Sequence, residues 1–85
     1  MTNKVNYHFA SGTYLDATAI TPNDTVDLPK PISGFCVTVA GDVRIETPAG
    51  SDVTITCSAV GVIYPIAAVK VFATSTTATG IVGVH

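Results

Sequence analysis

Residues 51–85 carry only two formal charges, Asp52 and Lys70, and consist mostly of Val, Ile, Ala, Thr and Gly with a few aromatics. β-Branched side chains at this density lose rotamer freedom in a helix and fit a pleated surface. The chain is therefore expected to be all-β, with no helix. A domain of 85 residues buries only about 60–65% of the surface its unfolded form exposes. Charged residues make up 12% of the sequence, against about 25% in an average protein. The deficit lies in surface charge, which suits a chain covered by copies of itself or by a partner.

Alternation with a period of two is clearest in the middle of the chain. Phe35, Val37 and Val39 alternate with Cys36 and Thr38; Val43 and Ile45 alternate with Arg44 and Glu46; Val53, Ile55 and Cys57 alternate with Thr54 and Thr56. Such runs read as half-buried strands. A loop over residues 40–42, with Gly41 at positive φ, would set Val39 against Val43 and Val37 against Ile45, keeping one face apolar. A loop over residues 48–52 would set Ile45 against Ile55 and Val43 against Cys57. The expected product is a three-stranded meander whose wet face holds Cys36, Thr38, Arg44, Glu46, Thr54 and Thr56. Cys57 then lies on the apolar face and Cys36 on the polar one, too far apart to bridge within one chain.

Further strands are expected over residues 60–66, interrupted by Pro65, over 68–74, and over 80–85. A short strand at 17–20 precedes a Pro-rich stretch, ATAITPNDTVDLPKP, with a turn at residues 21–24 and Leu28 as a plug into the core. The architecture expected is a small antiparallel β-sandwich or barrel of about seven short strands over residues 17–85. Residues 1–16 are expected to form an extended N-terminal arm whose aromatics, Tyr7, Phe9 and Tyr14, would gain by docking on the domain or on a partner. Strands apolar on both faces need cover, so subunit contacts are expected at Val69, Val71, Phe72, Ile81, Val82 and Val84.

Catalysis is not expected. His8 and His85 have no Ser, Cys or Asp at a motif spacing, and no glycine-rich string opens a helix. Asp24 and Asp27 are too few for a calcium loop and are read as local turn-formers, as is Asp42. The two cysteines match no zinc spacing, so neither metal nor cofactor is expected. The four cations, Lys4, Lys30, Arg44 and Lys70, are scattered, and the net charge is −2, which argues against a nucleic-acid footprint. No apolar run reaches membrane-spanning length. The N-terminus lacks the apolar stretch of a signal peptide, so cytoplasmic synthesis is expected.

The strings TPNDTVDLP, AGDVRIET, VGVIYPI and VKVFATSTTATGIVGV, in this order, resemble the spike base proteins of tailed phages and gene transfer agents. The matching positions are Thr21, Pro22, Asp24, Asp27, Leu28 and Pro29, then Gly41 and Asp42, Pro65, and residues 76–82. Together they span residues 20–84; Cys36 departs from the aromatic or aliphatic residue expected at its position. The resemblance implies a virion structural protein on the head surface, assembled in the host cytoplasm. It would act as a decoration or cement protein, or as a vertex spike base. Its implied partners are further copies of itself (a trimer or pentamer), the major capsid protein and a head fibre protein. It implies no catalytic residues. Two other readings fit the sequence: a tail or baseplate component, and a small ligand-binding β-module, which the absence of Trp disfavours.

Overall fold

The computed structural model describes residues 14–85; the arm positions Tyr7 and Phe9 lie outside them. The described residues contain six strands and no helix: β1 (Ala17–Ala19), β2 (Gly34–Cys36), β3 (Gly41–Glu46), β4 (Asp52–Cys57), β5 (Lys70–Val71) and β6 (Val82–Val84). They form two antiparallel sheets, ordered β1-β6-β2 and β4-β3-β5. Residues 64–71 link the two. Tyr64 and Ala68 bridge to Phe35 and Ile32 beside β2, and the same segment then runs into β5 beside β3. The fold is thus the small all-β unit expected from the composition.

The core lies between the sheets. Phe35, Val37, Val43, Ile45, Cys57 and Ala68 are fully buried, and Ile32, Val71, Ala78 and Ile81 join them. Ile20, Leu28, Val53, Ile55, Tyr64 and Ile66 pack around this cluster half-buried, so Leu28 does plug the core from the Pro-rich stretch. The Phe35 and Tyr64 rings stack at 5.7 Å where the two sheets meet. Parity along β3 is as the alternation dictates: Val43 and Ile45 face inward, while Arg44 and Glu46 face the half-wet side. Val39, expected on the apolar face with Phe35 and Val37, is instead 54% exposed, because the chain leaves β2 after Cys36 and pairs with Thr79. Cys57 is buried, Cys36 is half-buried, and both are free thiols.

Strand partners and register depart from the meander. β2 pairs with β6, not with β3. The expected 40–42 hairpin is absent because residues 38–42 use their hydrogen bonds on a distant segment. Val39 exchanges backbone bonds with Thr79, and Asp42 accepts from the amides of Thr77 and Ala78 while its own amide donates to Thr77 Oγ1. Gly41 has no positive φ. It is required there because a Cβ would stand 2.5 Å from the Ala78 nitrogen. Asp42 is accordingly a strand residue and not a turn-former.

In the β3–β4 hairpin, Val43 faces Ile55 and Ile45 faces Val53, two residues from the expected register. The connection is 47–51, closed by Thr47. Its amide donates to the Ser51 carbonyl, its hydroxyl accepts from the Ser51 amide, and its carbonyl accepts from Gly50, at φ +90°. A shift of two preserves which side chains face inward, so packing does not oppose it.

The expected strand over 60–66 is a loop bridged only at Tyr64. Its hydroxyl both accepts from the Ala59 amide and donates to the Ala59 carbonyl. The turn after Pro22 is an Asx turn made by Asn23, whose Oδ1 accepts from the amides of Thr25 and Val26. Asp24 instead reaches across the fold, accepting from the amide and hydroxyl of Thr74.

Candidate assembly surfaces

Three parts of the surface stand out. The first is charged. Arg44 makes a two-nitrogen bond to the Asp52 carboxylate, its shortest contact 2.7 Å. Lys70 stands 3.5 Å from Asp27 and 3.6 Å from Glu46. Both cations lie over the Phe72 ring, Arg44 at 4.2 Å and Lys70 at 5.3 Å from its centre. Phe72 therefore covers itself on the wet side of β3 with the stems and heads of its own neighbours. Hydrogen bonds hold the carboxyls of Asp52 and Asp24 below the usual carboxylate range, Arg44 acting on the first and Thr74 on the second.

The second is a groove of about 500 Å³ between β1 and the Pro-rich stretch. Its apolar lining includes Ile20, Val26, Leu28 and Ile32, with Asp16, Asp27, Lys30 and His85 also contributing. No group of His, Cys, Asp and Glu side chains among the described residues is arranged to hold a metal ion.

The third is free of charge. The Gly61 amide donates to the Val37 carbonyl and the Tyr64 amide to the Phe35 carbonyl, which lays the 59–64 loop along 35–37. Residues 38–39 in turn pair with Thr79. None of the residues 34–39, 58–64 or 77–80 is ionic. Val39, Val60, Val62 and Ile63 on these segments are 54%, 53%, 47% and 39% exposed.

The contact surface expected from the sequence is largely internal. Val71, Ile81 and Val84 are 2%, 3% and 7% exposed and close the chain's own core. Val69, Phe72 and Val82 are half-buried, and Phe72 lies beneath its cations. Strands that read as apolar on both faces are covered here by the opposite sheet and by residues 20–28: Val69 and Val71 accept from the amides of Leu28 and Asn23. Of the arm aromatics, Tyr14 is described and exposed; Leu15 beside it is 73% exposed. Sequence reasoning missed the patch at Val39, Val60, Val62 and Ile63. The signal for it was the Gly61 between two valines in a run with no polar partner.

No protein-family model matches the chain, and no curated protein does. Among solved structures, the chain is similar to one from a structure titled "Capsid of native GTA particle computed with C5 symmetry", with a TM-score of 0.82 and 30% identity over 99% of this chain and 100% of that one. The likeness extends over nearly the whole of both chains. The chain belongs to the same family as that gene-transfer-agent capsid chain, a family of structural proteins of phage-like heads.

Proposed function

We propose that this protein is a non-catalytic subunit of the outer head surface, acting as a decoration protein or vertex spike base that docks on the major capsid protein as part of a homo-oligomer. The end-to-end likeness to a chain of a capsid particle carries this reading. The charge-free surface supports it. Val39, Val60, Val62 and Ile63 present apolar area without the ionic groups that keep a free monomer soluble. A shell offers each subunit of an oligomer an equivalent site, so several modest contacts add to firm attachment.

The test is co-sedimentation of the purified chain with heads assembled from the major capsid protein alone, followed by cryo-EM of the loaded particles. Saturable binding at defined shell positions is expected. Val60→Asp and Val62→Asp, at exposed sites, should keep the fold and lose the binding. Heads that never take up the chain, while tails do, would move the protein to the tail.

A further inference from the structure

The two sheets together make one array with two open ends. Its order is β1, β6, β2, then the 64–71 segment containing β5, then β3 and β4. β1 and β4 do not pair with each other. Their outer edges can be read from the bonds already made on the inner side. In β3, the carbonyls of Asp42, Arg44 and Glu46 accept from residues 69–78, so the odd-numbered residues pair with β4. Thr54 and Thr56 therefore aim their amides and carbonyls outward, and neither has a backbone partner among the described residues.

The same reasoning applies to β1. Asp16 exchanges both bonds with His85, and the Ile20 amide donates to Ile81, so even-numbered residues face β6. Ala17 and Ala19 face outward. The Ala17 amide is taken by the Asp16 carboxylate. The Ala19 amide and the carbonyls of both residues have no backbone partner among the described residues.

Solitary proteins guard such edges with lysines, prolines or bulges. Here residues 53–57 and 17–21 carry neither charge nor proline, and Asp52 at the head of β4 is committed to Arg44. All three side chains of β1 are small and exposed, so a second backbone can approach. The two edges are different surfaces, and each offers alternate free groups two residues apart.

We propose that β4 of one subunit pairs edge to edge with β1 of the next copy of this chain, continuing the sheet from subunit to subunit around a closed ring. Such a head-to-tail contact uses each edge once and leaves none open when the ring closes. The proposal rests on the reading of the chain as a head subunit and names the contact by which it would self-assemble.

Proline at an outward-facing position of an edge strand removes only the donor a partner would use. Light scattering on the full chain should give a multiple of the 8.7 kDa subunit, while Ala19→Pro and Thr54→Pro should each be monomers with unchanged far-UV circular dichroism. An equimolar mixture of the two should form dimers, because one variant keeps an intact β4 and the other an intact β1. Thr18→Lys and Thr54→Lys repeat the test through charge if a proline disturbs the fold. In the Ala19→Pro monomer the Thr54 and Thr56 amides should exchange rapidly. A monomeric wild-type chain, variants that still oligomerise, or protection of those amides by the chain's own N-terminal residues would each overturn the proposal. A monomer that still coats heads would sink the ring but keep the head-surface role; a ring that ignores heads would do the reverse.

Discussion

Truncation of Ile81 separates a core residue from an interface residue. Its side chain is 3% exposed within one chain, packed in the cluster that includes Val37, Val43 and Ala78. Ile81→Ala removes three carbons, worth about 0.8 kcal/mol each in transfer. The cavity left behind adds to this, for a total of about 3–4 kcal/mol, within the range found for such substitutions. A domain of 85 residues has about 4–13 kcal/mol in all. The loss should lower the melting temperature by about 12–30 °C, at about 4–8 °C per kcal/mol for a domain of this size. The assay is urea and thermal unfolding followed by far-UV circular dichroism at two protein concentrations tenfold apart. The midpoint should fall by the same amount at both, since the contact is within one chain. A folded monomer of undiminished stability, with only the oligomer lost, would return Ile81 to the subunit interface and refute the packing described here.

Gly80 has φ +64° and its added Cβ would overlap the Thr38 hydroxyl, whereas Gly50, at φ +90°, faces open space. Gly80→Ala should therefore cost more than about 2 kcal/mol in urea unfolding, and Gly50→Ala only about 1 kcal/mol of backbone strain. Asp24 and Asp52 are held below their ordinary value of 3.8. The stability they contribute is present above that value and is lost as the pH falls through their lower folded values. Urea midpoints should drop on acidification below about pH 4, and the drop should shrink in Asp24→Asn and Asp52→Asn. Cys57 is buried and its thiol is pushed up by desolvation. A thiol reagent at neutral pH should modify Cys36 first, and Cys57 only in denaturant.

What the residues alone specified was parity. Val43, Ile45 and Cys57 had to face one side and Arg44, Glu46, Thr54 and Thr56 the other, because side chains alternate along any strand whatever its partner. The loops were legible where local chemistry makes them, as at Asn23. The resemblance to structural proteins of phage-like heads was also legible, and the likeness to a gene-transfer-agent capsid chain over 99% of this chain supports it at that level. Register was not legible, because a shift of two residues in the β3–β4 hairpin leaves every side chain on the same face; the hydrogen bonds of Thr47 chose between the alternatives. Nor was the partner of β2. Its neighbour β6 lies at the far end of the chain, and the bonds from Asp42 to Thr77 and Ala78 that displace the local hairpin exist only once the two ends have met. The same long-range closure moved Val71, Ile81 and Val84 from the expected contact surface into the core. Apolar residues on both faces of a strand announce that something covers them, but only tertiary structure decides whether the cover is the chain itself or its neighbour.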